Sequence, residues 1–330
     1  MSSLTASGPA VSAGPEDATR RSGRDGVVRR RLEIALFSAP ALLLFVGFVI
    51  LPVALAAVYS LYNLPAAFRW ENLADPERFT GIDNYVRALT SPEFLRSIGN
   101  TLLLVVLSLL VQGPLAISIA LLLNRRMRWR GVFRLLVFVP YVLAEVIAGL
   151  AWKLLLQPNG GANALLEGFG LGFLRQNWLA DTDIALWTVF LILTWKYIGF
   201  AILLMLAGLQ GVPEELAEAA QIDGAGWWQT QRHITLPLLA PTIRIWAFLS
   251  IIGSLQVFDM VWVTVAPAVR RISTETMATY MVQQGQFGGQ PGYGSAVAVI
   301  LFVISLIIAL VYQRVAMRRD LAGAVTRGVQ

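Results

Sequence analysis

Six long apolar stretches divide this chain, and they constrain its fold more than any other feature. They run near Ile34–Leu61, Ile98–Leu123, Val132–Leu156, Ile184–Leu209, Leu238–Val265 and Tyr293–Val315. A helix crosses the ~30 Å hydrocarbon layer of a bilayer with about 20 apolar residues, and each stretch is long enough. Composition agrees, with 56% hydrophobic and only 14% charged residues and a mean hydropathy of +0.64. Soluble domains carry roughly 25% charged residues. The expected fold class is therefore all-α: a polytopic membrane protein with six transmembrane helices. The fifth stretch is the most polar of the six. Shorter apolar stretches between them contain Gly or Pro and read as loops.

Residues 1–30 are rich in Ser, Ala, Gly, Pro and charge, and are expected to form a disordered tail. The first span is too long for a signal-peptide core and lacks an A-x-A-like exit, so it is expected to be retained. Residues 31–318 then form the membrane domain, and residues 319–330 a second tail. Basic residues orient membrane spans. Arg20, Arg21, Arg24, Arg29, Arg30 and Arg31 precede span one. Arg125, Arg126, Arg128, Arg130 and Arg134 fall around the junction of spans two and three, and Arg314, Arg318, Arg319 and Arg327 close the chain. With six spans, all three regions face one side, so both termini are expected in the cytoplasm. Net charge is +6. Its clustering beside apolar blocks fits membrane topology, with possible contact to anionic lipid, better than nucleic-acid binding. The absence of Cys excludes disulfides, thiolate metal sites and cysteine nucleophiles.

One cytoplasmic loop departs from the basic pattern. Residues 211–237 hold Glu214, Glu215, Glu218 and Asp223 against a single Arg232. Pro213 suits the first position of a helix, and the acids behind it complement the helix dipole. Helix formers run from Leu216 to Ile222, and Asp223-Gly224 signals a turn. A second short helix is expected from Ala225 to about His233, broken by Thr235-Leu236-Pro237 where span five begins. Ala219 and Ala220 offer a smooth face for close approach of another backbone. On physical grounds alone this helix–turn–helix is either an ordinary amphipathic connector or a docking element.

Glu218-Ala219-Ala220, Gly224, Ile234, Leu236 and Pro237 follow the spacing EAA-x3-G-x9-I-x-LP. This resembles the EAA loop of ABC-importer permeases. The flanking run Gly208–Pro213 and the triplet Asp223-Gly224-Ala225 resemble the sugar-importing branch. So do Asn84-Tyr85, Asn100-Thr101, Leu122-Leu123-Asn124, Pro140-Tyr141, Asn177-Trp178-Leu179, Trp195-Lys196 and Gly292–Ala296. Gln231 departs from the family's usual aromatic residue, and Thr264–Pro267 replaces its usual glycine-rich run. The resemblance implies a type I ABC-importer permease fold for an inner-membrane subunit of a bacterial importer. It implies that Glu218, Ala219, Ala220, Asp223 and Gly224 dock a coupling helix onto a separate ATPase. It also implies a second homologous permease, two ATPase subunits, an extracytoplasmic substrate-binding protein and a carbohydrate substrate.

The residues support a separate motor independently. A phosphate-binding P-loop needs G-x-x-x-x-G-K-[ST], and the only lysines, Lys153 and Lys196, each follow a Trp. ATP and Mg²⁺ are therefore expected on partner chains, with no cofactor and no enzymatic activity on this one.

Charge inside a span is costly and should face the bundle interior or a wet cavity. Lys196 and Glu145 lie deep in spans four and three, and Asp259 lies in the outer part of span five. Lys196 and Glu145 either pair between helices or meet the substrate. The resemblance carries the sugar-contact positions onto Leu193, Lys196, Tyr197 and Phe200 in span four, and Ser250, Gly253, Ser254 and Val257 in span five. Each set steps by three, one and three residues, tracing one helical stripe. Both stripes also suit plain helix–helix packing. The single His233 is expected to be structural or solvated. Rival readings are a permease for another solute class, a gradient-driven secondary transporter using Lys196, Glu145 and Asp259, and a membrane enzyme, for which no acid or His cluster is found.

Overall fold

A computed structural model describes residues 33–67, 69–125 and 128–317. Both expected tails, 1–30 and 319–330, lie outside the described residues. The chain divides into two units, residues 1–55 and 56–330, and each is taken by itself. In the first, the described residues are helical and belong to α1 (Glu33–Tyr59).

The second unit carries α2 (Asp83–Thr90), α3 (Pro92–Asn124), α4 (Arg130–Val142), α5 (Glu145–Leu155), α6 (Gly161–Gly168), α7 (Ala185–Leu209), α8 (Glu214–Ile222), α9 (Trp227–Leu255), α10 (Asp259–Thr264), α11 (Met277–Val282) and α12 (Pro291–Val315). Among the described residues the only β pairing is an isolated bridge between Tyr62 and Phe79. Helices α1, α3, α7, α9 and α12 are each long and apolar enough to cross a membrane. Helices α4 and α5 qualify only as a pair, bent by 99°.

That bend is the first difference from the sequence reading, which expects one continuous third span. Leu143 and Ala144 are extended. Pro140 in the last turn of α4 has no N–H to continue the ladder, and the carbonyls freed there find another donor, described below. The second difference is the fifth span. It ends at Leu255 rather than Val265, and Asp259 starts a separate helix, α10, where its carboxylate complements the dipole. Its start also differs, because the expected break at Thr235-Leu236-Pro237 is absent and α9 runs unbroken from Trp227. A helical proline crowds the carbonyl four residues back. Here Leu236 bonds the carbonyl of Gln231, five residues back, so the turn before Pro237 is widened to accept the ring. The same device precedes Pro114, where Gly113 bonds Ser108, and Pro52, where Leu51 bonds Val46.

Helix α7 is central to the second unit. It buries residues around its whole circumference, among them Leu186, Val189, Ile192, Lys196, Gly199, Ile202 and Met205. It packs on α3, α4 and α9. A Cβ on Gly199 would collide with the Val137 carbonyl, so α4 and α7 touch backbone to backbone at that glycine.

Two stretches expected as loops are helical. Gly161–Gly168 forms α6. The segment after α10 folds into short turns, Pro267–Val269 and Arg270–Thr274, before α11. This segment is fastened to α3. Asn100 Nδ2 donates to the carbonyls of Ser273 and Glu275 at 2.9 Å each, and the Met277 N–H donates to Thr101 Oγ1 at 3.0 Å. Thr276 Oγ1 donates to the Val257 carbonyl at 2.8 Å.

Candidate functional site

A cavity of about 310 Å³ opens between α3, α7 and α9. Helix α7 contributes Phe190, Leu193, Thr194, Tyr197 and Phe200. Helix α9 contributes Trp246, Leu249, Ser250, Gly253 and Ser254, with Val257 just beyond it. Leu104, Ser108 and Gln112 come from α3, and Tyr141 from the last turn of α4. The cavity therefore gathers seven of the eight substrate-path residues named from the sequence. Helical spacing explains this, because positions stepping by three, one and three lie on one face, and the two faces meet.

Lys196 is the exception. It is 2% exposed and does not line the cavity. Its Nζ donates to the carbonyls of Pro140 and Tyr141 at 3.0 Å each, and also to that of Leu143. These are the carbonyls left without partners where α4 stops, and a helix C-terminus favours a cation. Nor does Lys196 pair with Glu145. The Glu145 Oε1 accepts a hydrogen bond from Tyr197 Oη instead. Span four thus grips both halves of the broken span, α4 through Lys196 and α5 through Tyr197. Asp259 is exposed at the start of α10.

The cavity has an aromatic wall and a polar rim. Tyr141 stacks on Phe200 with ring centroids 5.2 Å apart and planes 21° apart, while Tyr197 meets Tyr141 edge-on at 6.3 Å. On the α3 side, Ser108 Oγ donates to Gln112 Oε1 at 2.6 Å and lies 2.5 Å from Ser250 Oγ. The Thr194 hydroxyl has no hydrogen-bond partner. The sequence reading did not single out Ser108, Gln112, Thr194 or Trp246. Ser108 and Gln112, two polar residues four apart in an otherwise apolar span, were the available signal.

The hairpin at 211–237 lies between the two helices that build most of the cavity. Helix α8 stands out of the protein, with Glu218, Ala219, Asp223 and Gly224 exposed and Ala220 half-buried. Gly224 adopts φ +81°. Its N–H bonds the Gln221 carbonyl, and the Ala225 N–H bonds the Ala220 carbonyl, which closes the helix with a Schellman motif. A side chain at 224 meets no neighbour within 4 Å, so the glycine is required by its dihedral angle alone. Behind the turn, the Arg125 guanidinium sits 4.3 Å over the ring of Trp227, tying the hairpin to the end of α3. His233 Nδ1 lies 3.0 Å from the Gln229 carbonyl, on its own helix.

Residues 112–320, more than half the chain, match the family model described as the binding-protein-dependent transport system inner membrane component. The chain belongs to this family. It is 31% identical over 303 residues to the arabinooligosaccharides transport system permease protein of Bacillus subtilis (strain 168), covering 90% of this chain and 92% of that one. It is 33% identical over 290 residues to the trehalose/maltose transport system permease protein of Thermococcus litoralis, covering 86% and 94%. Among solved structures, a bacterial ABC transporter involved in import of the acidic polysaccharide alginate matches with a TM-score of 0.76 at 26% identity, covering 90% of this chain and 99% of that one. The same transporter in complex with an alginate pentasaccharide-bound periplasmic protein matches equally well. The fold is thus that of an all-α, multi-pass permease of an ABC transporter.

Proposed function

We propose that this chain is the permease subunit of an ATP-driven carbohydrate importer. In this reading the cavity is its part of the translocation path, and the 211–237 hairpin is its handle on a separate ATPase. One observation carries it. Helix α7 runs from the cavity wall at Leu193–Phe200 into the hairpin, and α9 returns from the hairpin to the opposite wall at Ser250–Val257. A force on the hairpin therefore acts on both walls at once. Glu218, Ala219, Asp223 and Gly224, all exposed, form the docking face together with the half-buried Ala220, with the alanines admitting a partner's backbone and Gly224 setting the turn.

Chemistry supports a sugar. Its C–H faces suit the Tyr141–Phe200 stack, and its hydroxyls suit Ser108, Gln112, Thr194, Ser250 and Ser254. One hairpin provides one docking point, so a two-ATPase motor calls for a second homologous permease, and an extracytoplasmic binding protein delivers the ligand. ATP and Mg²⁺ belong to the ATPase subunits. The chain lies in a bacterial inner membrane with both termini in the cytoplasm, and it catalyses no reaction itself.

The test is uptake by proteoliposomes holding the complex that co-purifies with this chain. Wild type should require ATP. Gly224→Asp, or a charge at Ala220, should lower uptake by about ten-fold or more, a loss of roughly 1.4 kcal/mol of coupling. The membrane level of the chain should be unchanged. Undiminished uptake in both variants, or uptake that follows an ion gradient without ATP, overturns the proposal.

A further inference from the structure

Membership of this family leaves the charge of the ligand open, since a matching transporter imports an acidic polysaccharide. The cavity decides it. Among the described residues that line it, none is charged. Lys196, a cation beside it, is withdrawn from the lining. An ammonium has three N–H donors, and all three are used on the carbonyls of Pro140, Tyr141 and Leu143. No donor remains for a carboxylate, sulfonate or phosphate. An anion is closer to the wall: the Glu145 carboxylate accepts the hydrogen bond of the Tyr197 hydroxyl. An anion set against Tyr197 would meet that carboxylate, while the Lys196 ammonium, 6.0 Å from the Tyr197 ring centre, has no N–H left to offer it. The site also lies about halfway along the 25-residue α7, at a depth where an unpaired charge is costly.

We propose that the ligand taken by this cavity is an uncharged sugar or polyol, and that sugars bearing a carboxylate, sulfonate or phosphate are excluded here. The inference rests on reading the cavity as the substrate path. What the wall does offer suits a neutral ring: the Tyr141–Phe200 stack for its C–H face, and the hydroxyls of Ser250, Ser254 and Thr194 with the Gln112 amide for its hydroxyl groups. Lys196 and Glu145 hold the two halves of the broken span in place, and neither offers a free hydrogen-bond donor to an anion.

The full-length chain, purified in lipid nanodiscs with the subunits that accompany it, is titrated with disaccharides of glucose, galactose and mannose. Each is paired with the same disaccharide oxidised to a carboxylate at C6. No binding protein is added, so only the permease's own selectivity is read. At least one neutral disaccharide should bind, its oxidised form should bind about ten-fold more weakly or worse, and Phe200→Ala should weaken the neutral ligand. Ser254→Lys, which adds the missing cation, should narrow the gap. An oxidised sugar that binds wild type as well as its neutral form, with Phe200→Ala weakening both, overturns the neutral-ligand inference and leaves the cavity as the substrate path. If nothing binds, or if binding ignores Phe200→Ala, the substrate-path reading falls and takes the inference with it. The wild-type comparison needs no variant to fold.

Discussion

Lys196 shows how a charged residue in an apolar span can be legible in the sequence while its task is not. Its depth marks it as a residue that must face the interior, and it does. What it meets there is a set of three backbone carbonyls, which exist as unpaired acceptors only because α4 ends at Val142. Pro140 hints at that ending, but nothing local in the chain says that a residue 56 positions later will cover it. Replacing Lys196 by Met keeps most of the apolar stem and strands the carbonyls. Leaving a buried polar group unsatisfied costs about 1–3 kcal/mol for each carbonyl stranded, partly offset by removing a buried charge. Lys196→Met should therefore destabilise the chain by about 2–3 kcal/mol, seen as a lower unfolding temperature in detergent. An unchanged unfolding temperature would mean that the break in span three does not depend on this cap.

At the scale of elements, the segment from Arg270 to Met277 is the least expected. The stretch just before it, Thr264–Pro267, is where the sequence departs from the family's glycine-rich run, and the structure folds residues 270–277 into a hydrogen-bonded unit fastened to α3, with Arg271 and Ile272 exposed and Thr274 to Met277 buried. Glu275 is buried within it, and its Oε1 has no hydrogen-bond partner. Burial pushes its carboxyl up to about 7, while Arg270 and Arg271 pull it back and Glu93 adds slightly to the rise. A carboxyl whose folded-state value exceeds its ordinary 4.5 binds its proton more tightly when folded. Stability is therefore full below about pH 4.5 and is lost as pH rises through about 7. Wild type should unfold at a lower temperature near pH 8 than near pH 5, and Glu275→Gln should remove that part of the pH dependence. Equal pH dependence in the two proteins would refute the assignment. The hairpin at 211–237 is the opposite case. Pro213, the acids after it and Asp223-Gly224 are local instructions, and helix, turn and second helix follow in the expected order. Only the break at Pro237 fails to appear, because a widened turn absorbs the proline, and such a register change leaves no mark in residue types.

At the scale of the molecule, the order of the apolar stretches comes from hydropathy, and the expected orientation from where arginines cluster. The orientation can be tested cleanly because the chain has no Cys. Asn159→Cys, between α5 and α6, should react with a membrane-impermeant maleimide in intact cells. Glu215→Cys, in α8, should react only after permeabilisation, and the reverse pattern would invert the topology and remove the hairpin from any cytoplasmic ATPase.

Runs of apolar residues and turn chemistry act over a few neighbours, so six apolar spans and the hairpin are determined by the chain's order of residues. The cavity, the 99° bend and the withdrawal of Lys196 depend on which helices meet. Tyr141 faces Phe200, and Ser108 faces Ser250, across 59 and 142 residues of chain, and contacts at that separation are settled by packing around α7 rather than by any local pattern.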